Sequence, residues 1–422
     1  MAFQAARRAS AQTTALIPSK DEREGLINRT TEAYASTALP APLWSQQLDP
    51  DLMKFEFWEC VRSLKDASGC GVPYATYQNR RSHGDWIFDR PSFENLWELV
   101  QTRLQRLLHL SFISPVQAVQ EGLVDPIRLF VKPEPHKREK IRNRRFRLIA
   151  SVSLVDQLVA RMLFREQNEE ELRQHMAIPS KPGLGFSQDY QVEAFTTSVA
   201  DMVGIPPEEL IENWSRYLVP TDCSGFDWSV PMWLLEDELA VRNALTINIP
   251  PALRKMRETW LKCLGQSVFC LSNGLLLAQT SPGIQKSGSF NTSSSNSRMR
   301  YMLALYAGAK WAVTMGDDAL ESVDADLSRY ARLGIKCERA EEFDFCSHLF
   351  RAPSVVIPKN LEKMVFGLLS GCSPESPIVN DRFRWTCAYQ SILEEMRHMP
   401  DEFVEMLEEQ LGVEVYWAEA QG

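Results

Sequence analysis

Apolar residues recur every three to four positions in three long stretches of this chain, residues 52–67, 92–110 and 154–176. Apolar side chains at that spacing share one face of an α-helix, and this face usually packs on a protein core. The three stretches therefore predict amphipathic helices. Further helical segments are predicted over residues 232–263, with outer helices over 206–218 and 394–411.

Shorter apolar runs bounded by Gly, Pro, Asn or Asp predict β-strands. Residues 126–135 start extended, and Pro133 with Pro135 excludes a helix from their end. Other strands are predicted in residues 146–153, in 216–230 before a turn, in a 267–279 hairpin around Asn273-Gly274, and in 310–323 around a tight turn. Residues 281–309 predict a Gly/Ser loop that runs into a helix. Residues 1–40 fit either an arm that wraps the surface or a flexible tail.

Composition narrows the class of protein. The 422 residues are 44% hydrophobic, which suits two or three sub-domains with a sizeable core. The nine cysteines form no CxxC pair, which favours reduced thiols over a disulfide framework. No apolar run reaches the ~18 residues that a membrane span needs, and the first residues lack the apolar core of a signal peptide. We therefore expect membrane association only peripherally or through a partner.

Positive charge is concentrated in one segment of a chain whose net charge is −9. Residues 132–147 contain eight Lys or Arg and only two acids. Such a segment offers a counter-charge for a triphosphate or for an RNA template. A solvated basic loop or a localisation signal would have the same composition, so the segment alone does not distinguish these functions.

Two predicted strands end in acidic turns. The first ends at Asp222, followed by Asp227, and the second ends at Gly316-Asp317-Asp318. Phosphoryl transfer with two divalent cations ~3.5–4 Å apart needs carboxylates from neighbouring backbone segments, which the ends of adjacent strands supply. Gly316 permits a tight turn with Asp317 at its tip. Gly-Asp-Asp alone is also an ordinary turn sequence. It indicates a metal site here because Asp222 also lies at the end of a predicted strand.

A Ser- and Gly-rich segment lies between the two acidic turns. Thr292 and Asn296 are spaced to share one face of a helix, and Ser287 with Gly288 lies in the loop that enters it. Hydroxyl and amide groups there can reach the sugar of a nucleotide, whose 2′-OH distinguishes RNA from DNA. Asp227 and Asn296 suit that contact. A Ser/Thr-rich helix N-terminus with an ordinary N-cap is the alternative interpretation.

Taken in order, these segments resemble motifs F, A, B and C of viral RNA-dependent RNA polymerases. The similar segments are LFVKPEPHKREKIRNRRFRLIASVSLVDQLVARMLF, TDCSGFDWSV, SGSFNTSSSNSRMR and VTMGDD. They match the patterns D-x4-D, S-G-x3-T-x3-N and G-D-D in the order of that family. The phrases SLVDQLVARMLF and FDFCSHLF are most similar to the sobemovirus, polerovirus and barnavirus group. The resemblance covers roughly residues 68–350.

The resemblance implies a role for each matching residue. Asp222, Asp317 and Asp318 would bind two ions of Mg²⁺ or Mn²⁺, since both are hard cations that prefer oxygen ligands. Asp227 and Asn296 would select the ribose 2′-OH. The other nucleotide-binding residues would be Ser287, Gly288 and Thr292 near the sugar, and Lys132, Lys140, Arg142 and Arg147 at the triphosphate.

Two further motifs match more loosely. The segment SGCGVP is similar to motif G, which guides the template, through Ser68, Gly69, Gly71 and Pro73. The segment after the second acidic turn is similar to motif D, in which a lysine protonates the leaving pyrophosphate, and Lys336 is the lysine available there. An ammonium group on a flexible stem suits a general acid, although a surface lysine has the same signature.

The same resemblance implies an α+β, right-handed polymerase fold of fingers, palm and thumb, with an antiparallel palm sheet backed by helices. We expect an N-terminal arm at 1–40, fingers at 41–215, a palm at 216–350 with a fingers insertion at about 231–280, and a thumb at 351–422. RNA template, nascent RNA and NTPs would be the partners, with a protein primer and other viral replication proteins as further candidates. The expected place of action is the host-cell cytoplasm, in replication complexes.

Three other classes of protein share part of this pattern. A reverse transcriptase would have the two metal-binding aspartates, but it usually carries Tyr-x-Asp-Asp and a bulky residue where this chain has Met315-Gly316 and Asp227. A two-metal nuclease offers no reason for the Ser-Gly-Thr-Asn segment or for the basic strand. A non-enzymatic RNA-binding or capsid protein would normally be net positive. RNA-directed RNA synthesis is therefore the favoured function.

Overall fold

The computed structural model describes residues 1–371 and 377–411, the last two by their backbone alone. In chain order the α-helices are α1 (Ala2–Thr14), α2 (Lys20–Ala33), α3 (Leu43–Gln47), α4 (Pro50–Arg62), α5 (His83–Ile87), α6 (Arg90–His109), α7 (Pro115–Gln120), α8 (Arg138–Arg142), α9 (Leu154–Arg173), α10 (Asp189–Val203), α11 (Pro207–Glu212), α12 (Phe226–Ser229), α13 (Met232–Ala244), α14 (Pro251–Gly265), α15 (Thr292–Tyr306), α16 (Ser328–Arg332), α17 (Leu361–Ser370), α18 (Val379–Glu395) and α19 (Asp401–Leu411).

The strands form several small sheets. They are β1 (Leu39–Pro40), β2 (Ile127–Val131), β3 (Leu148–Ser151), β4 (Leu218–Cys223), β5 (Thr246–Ile247), β6 (Val268–Cys270), β7 (Leu276–Ala278), β8 (Ala312–Met315), β9 (Asp318–Ser322), β10 (Cys337–Arg339), β11 (Asp344–Phe345), β12 (His348–Ala352) and β13 (Val355–Pro358). The sheet orders are β3-β2-β6-β7, β10-β4-β9-β8 and β11-β12-β13, and β1 pairs with β5. The pairs β2–β3, β8–β9 and β4–β10 are antiparallel. The fold is therefore mixed α+β.

Most of the predicted elements form where their patterns place them. The three amphipathic stretches are α4, α6 and α9, and the predicted hairpins are β6–β7 and β8–β9. Local chemistry fixes several helix ends. Asp49, Asp89 and Ser153 cap the N-termini of α4, α6 and α9, each accepting hydrogen bonds from backbone N–H groups of the first turn.

Two predicted outer helices are wrong in extent. The segment 394–411 is not one helix: α18 ends at Glu395 and α19 starts at Asp401. Pro400 lies in between, and a proline disfavours helical geometry at the residue before it and lacks the N–H that a continuing helix needs. In the segment 206–218 the helix ends at Glu212. Leu218 is the first residue of β4, a largely buried strand whose pairing in the sheet is incompatible with a helix there.

One compact unit comprises residues 1–183 and 221–339. Its core is a contiguous cluster of buried side chains from the larger helices and from strands β2 and β3. Helix α15 packs against β8 and β9. Its buried residues include Asn296, Ser297 and Arg300, which is unusual for polar side chains and places them behind the strands that end in acidic turns.

The N-terminal segment packs on this unit as helices α1 and α2. A capping box starts α2, since Ser19 Oγ accepts from Glu22 N and Glu22 Oε2 accepts from Ser19 N. Leu26 and Thr30 of α2 and Arg8 of α1 are buried. Of the two alternatives for residues 1–40, the structure therefore contains the arm that wraps the surface.

A second compact unit comprises residues 184–220 and the described residues from 340 onward. Helices α10 and α11 pack against β13 and β12, and aromatic rings fill the space between them, with Phe195 stacked on Phe345 and set close to Phe350. Helices α17, α18 and α19 share a smaller core that contains Trp385 and Leu407. In the part of the chain that the structure describes, no helix has the length and apolarity required to cross a bilayer.

Candidate active site

Three carboxylates meet at one end of the β10-β4-β9-β8 sheet. Asp222 lies near the end of β4, while Asp317 and Asp318 lie where β8 turns into β9, the strand beside β4. Gly316 has φ 59°, a left-handed conformation that glycine adopts at little cost. One oxygen from each aspartate lies within 4.8 Å of the other two. A set of hard oxygen donors this close can hold a metal ion, and its chemistry fits Mg²⁺ or Mn²⁺.

The charges within this cluster interact. Solvent reaches the side chains of Asp222 and Asp317. Nevertheless, partial burial by surrounding protein atoms raises the pKa of Asp317, and the negative charge of Asp222 raises it further, while the positive charges of Arg300 and, less strongly, Arg147 lower it. Because like charges at this distance repel each other, a cation bound between them would be held by both.

A hydrogen-bonded pair lies next to the carboxylates. Asn296 Nδ2 donates to Asp227 Oδ1 at 2.8 Å. Gln285 joins this pair, since its side chain donates to Asn296 Oδ1 at 3.2 Å and its backbone N–H donates to Asp227 O at 2.8 Å. The pKa of Asp227 is raised to about 6, chiefly by burial. The hydrogen bond from Asn296 lowers this pKa, and the negative charge of Asp317 raises it. The pair and the carboxylate cluster are therefore electrostatically coupled.

Helix α15 also holds the backbone of the acidic turn through two side chains that the sequence analysis did not single out. Ser297 Oγ accepts from Gly316 N at 2.8 Å. Arg300 is fully buried, and its Nε donates to Asp317 O at 2.7 Å. Its other nitrogens donate to Thr221 Oγ1 at 2.6 Å and to Tyr330 Oη at 2.9 Å. One guanidinium thus connects the strand before Asp222 with the turn at Asp317.

The only sequence signal for these two residues is their spacing. Ser297 and Arg300 follow Asn296 within one helical turn, in the phrase SNSRMR. An arginine in a helix normally predicts an exposed face, and only the packing of α15 on the sheet turns it inwards.

The loop before α15 is held against β3. Ser287 Oγ accepts from Ala150 N at 3.0 Å, and Gly288 N donates to Ala150 O at 2.9 Å. A Cβ on Gly288 would lie 2.4 Å from that carbonyl oxygen, so only glycine fits here. Thr292 Oγ1 donates to Lys286 O at 2.9 Å. These groups shape the loop, and their contact with a nucleotide sugar stays a prediction.

The predicted triphosphate-binding residues lie in the segment that connects β2 with β3. Lys132 and Arg147 each form a 3.2 Å ion pair with Glu134. The positive charge of Arg147 lowers the pKa of both Asp227 and Asp317. Lys140 and Arg142 lie on the short helix α8, and their side chains are exposed. The charge of Arg147 therefore acts on the two aspartates, and contact of all four residues with a triphosphate stays a prediction.

The predicted template-binding residues form a loop elsewhere in the same unit. Gly69 pairs with Ser82 in an isolated bridge, and a Cβ on Gly71 would lie 2.9 Å from Ser153 Cα. Ser68 and Pro73 flank this part of the chain, where Ser68 O accepts from His83 N at 2.8 Å. The loop packs on the N-terminus of α9, where Leu154 N donates to Cys70 O at 3.0 Å.

Lys336 lies directly before β10, the strand that pairs with β4. Its Nζ forms a 2.9 Å ion pair with Glu338, and both side chains are largely exposed. Glu338 is the register partner of Asp222. Lys336 is therefore close along the sheet to Asp222, although its ammonium group is paired with an acid, and its role as a general acid stays a prediction.

Comparisons with known proteins show which family this chain belongs to. The model of a family described as viral RNA-directed RNA polymerase matches residues 1–361. The chain is 77% identical over 411 residues to protein P1-P2 of Pea enation mosaic virus-1, covering 97% of this chain and 35% of that protein. It is 48% identical over 402 residues to protein P1-P2 of Turnip yellows virus, covering 94% and 39%.

A third relative is the replicase polyprotein P2AB of Southern bean mosaic virus, 44% identical over 251 residues, which covers 56% of this chain and 25% of that protein. The chain thus spans 35% and 39% of the length of the two P1-P2 proteins. The match of the family model and the kinship with polerovirus and sobemovirus proteins confirm the group predicted from the motifs. The chain belongs to the family of viral RNA-directed RNA polymerases.

Proposed function

We propose that this chain copies viral RNA by adding NTPs to the 3′-OH of a growing RNA strand on an RNA template, with two divalent cations at Asp222, Asp317 and Asp318. The observation that carries the proposal is the convergence of three carboxylates from adjacent strands beside the Asp227–Asn296 pair. A two-metal nuclease would need the carboxylates but gives no role to that pair.

The architecture that goes with this function is a right hand. In this proposal the β10-β4-β9-β8 sheet with α15 is the palm, residues 41–215 supply most of the fingers, a further fingers segment lies at about 231–280, and residues 351–422 supply the thumb. The antiparallel β8–β9 hairpin and the helix behind it support the palm assignment. Part of the thumb segment lies outside the described residues.

The residues divide the chemistry between them. Bound Mg²⁺ or Mn²⁺ would lower the pKa of the attacking hydroxyl and neutralise the departing pyrophosphate. Asp222, Asp317 and Asp318 would hold those ions. Arg147 adds positive charge on the side where a triphosphate would lie, supported by Lys132, Lys140 and Arg142. Lys336 would deliver a proton to the pyrophosphate after release from Glu338.

The sugar would be recognised by Asp227 and Asn296. Asn296 is held between Asp227 and Gln285, so the orientation of its amide is fixed. Asp227 Oδ1 accepts that bond, and no donor from the described residues contacts Oδ2. A carboxylate oxygen in this state can accept from a ribose 2′-OH, which a deoxyribose lacks. Ser287, Gly288 and Thr292 would keep the loop in place around the sugar.

The direct test is incorporation of labelled NTP on a single-stranded RNA template. We expect RNA synthesis that requires Mg²⁺ or Mn²⁺ and stops when the metal is chelated. Reactions with and without an RNA primer show whether the chain starts new strands by itself or extends existing ones. The proposal is contradicted if the folded protein makes no RNA with or without a primer and with either metal. For that conclusion, the same result should hold when the chain is tested as part of a longer protein like the P1-P2 relatives.

Replacing Asp227 or Asn296 with alanine should weaken selection of rNTP over dNTP. Each substitution removes one member of the hydrogen-bonded pair that would sense the 2′-OH, and losing one such contact reduces discrimination by roughly 10- to 100-fold. The measurement is the ratio of kcat/KM for a rNTP and the matching dNTP.

Ser293→Ala is the matched control for this pair of variants, since Ser293 lies on the same helix with its side chain exposed. The control should keep the selectivity of the wild type. If both Asp227→Ala and Asn296→Ala also kept it, the sugar-sensing role would be wrong.

RNA template, nascent RNA and NTPs are the proposed partners, with other viral replication proteins as further ones. A protein primer remains a candidate, and the unprimed reaction above addresses it. We propose the host-cell cytoplasm, within replication complexes, as the place of action.

A further inference from the structure

Helix α1 contacts the backbone on both sides of Asp227. Arg7 Nη2 donates to Ser224 O at 2.9 Å. Arg8 Nη1 donates to Trp228 O at 2.7 Å and to Val230 O at 2.9 Å. Two consecutive arginines of the N-terminal helix therefore hold the chain just before and just after the residue proposed to sense the sugar.

Arg8 also reaches the segment that carries Gln285. Its Nη2 donates to Pro282 O at 3.0 Å, and a Cβ on Gly283 would lie 2.2 Å from the same nitrogen. Gln285 in turn contacts both Asp227 and Asn296. Arg8 thus binds the two backbone segments that bring the members of the Asp227–Asn296 pair together.

The environment of Arg8 is unusual for a residue that serves only stability. Its side chain is buried, and it forms no ion pair with any acid among the described residues. Burial lowers its pKa to about 10. A buried cation that is paired only with carbonyl groups costs more than an apolar side chain of similar size, so stability alone would favour replacement by the latter. What an apolar residue cannot supply is a planar set of donors to three carbonyls in fixed directions.

Both ends of α1 contact other parts of the site. The guanidinium of Arg145, in the basic segment, lies 4.7 Å from the ring centroid of Phe3. Directly after the helix, Leu16 N donates to Arg332 O at 2.7 Å, in the segment that leads to Lys336. The α1 helix and the residues directly after it therefore contact the basic segment, the Asp222–Asp227 turn, the loop before α15 and the segment that leads to Lys336.

We propose that α1, through Arg7 and Arg8, is a positioning element for ribose recognition, which rests on the proposed polymerase function. Arg7 and Arg8 do not touch the nucleotide. They set the distance and direction between Asp227 and Asn296, so that the 2′-OH meets both. Loss of Arg8 lowers selection of rNTP over dNTP and raises KM for rNTP, while the affinity for the RNA template stays as it was.

The test compares Arg8→Leu, Arg8→Lys and Arg7→Leu with the wild type in single-nucleotide extension of a primed RNA template. The ratio of kcat/KM for rNTP and dNTP should fall roughly tenfold in Arg8→Leu, because small displacements of a positioned group have effects of this size or more. Arg8→Lys keeps the charge but not the planar donors, and should fall between Arg8→Leu and the wild type. If Arg8→Leu does not fold, Arg7→Leu, which removes the hydrogen bond to Ser224 O, carries the same test.

Arg23→Gln is the matched control. Arg23 also anchors the N-terminal segment, through a 2.7 Å ion pair from α2 to Asp237, but it does not contact the Asp227 segment. This variant should melt at a lower temperature and keep the selectivity of the wild type. Equal loss of selectivity in Arg23→Gln, or unchanged selectivity in folded Arg8→Leu and Arg7→Leu, overturns the proposal. An inactive wild type would instead overturn the polymerase function itself, so the two failures are distinguishable.

Discussion

Asp317→Ala is expected to reduce RNA synthesis by at least ~10³-fold, because loss of a metal ligand removes several kcal/mol of charge stabilisation in the transition state. Asp317 contributes one of the three oxygens that lie within 4.8 Å of one another, and its backbone is held independently by Arg300. The substitution should therefore leave the turn in place. It also removes a charge that Asp222 repels, so the metal-free protein should not melt at a lower temperature.

Two measurements together test this prediction. Extension of a primed RNA template reports activity, and thermal melting with and without Mn²⁺ reports metal binding, since an ion that binds only the folded state raises the melting temperature. The increase seen in the wild type should be lost in Asp317→Ala. Asp324→Ala, an exposed acid after β9, is the control and should behave as the wild type. Substantial RNA synthesis by Asp317→Ala would refute the proposed site.

Arg300→Lys is expected to have the second-largest effect, on activity and on stability. Lysine keeps the positive charge, but one ammonium group cannot reach Asp317 O, Thr221 Oγ1 and Tyr330 Oη together. Losing buried hydrogen bonds from a charged donor should lower the free energy of unfolding by about 2–4 kcal/mol. The looser turn should lower kcat by roughly 10²-fold and raise the Mg²⁺ concentration needed for half-maximal activity.

Arg298→Lys separates a general loss of stability from a specific effect on the turn. Arg298 is also fully buried in α15, but it pairs with Glu171 and Glu238 rather than with the acidic turn. We expect this control to melt at a lower temperature while its Mg²⁺ dependence stays normal. If Arg300→Lys and Arg298→Lys changed the Mg²⁺ requirement equally, Arg300 would have no particular role in holding Asp317.

Some parts of the site could be predicted from sequence because they depend on short-range patterns. Asp222 and Asp317 follow apolar strands directly, and the strand ends fix where their side chains emerge. Asn296 is placed by helical spacing from a loop rich in Ser and Gly. Each of these inferences needs only the neighbouring residues and the regular geometry of a strand or helix.

Other parts of the site depend on which distant segments pack together, and local sequence patterns do not predict such packing. Arg300 has meaning only once α15 lies behind β8 and β9. Arg8 lies in a segment rich in Ala and Thr, and its partners are more than 200 residues away. The break at Pro400 was readable from the sequence, but the amphipathic pattern on both sides of the proline favoured one longer helix.

The backbone of the acidic turn is held by hydrogen bonds from within the protein. The Gly316 amide and the Asp317 carbonyl are both bonded to buried side chains of α15. Conformational entropy of the turn has therefore been lost on folding and need not be lost again on binding. If the turn binds a cation as proposed, its affinity would be governed mainly by electrostatics, so increasing ionic strength should weaken binding more than loosening the surrounding loops would. The same rigidity would let successive nucleotides meet an unchanged site in each cycle of addition.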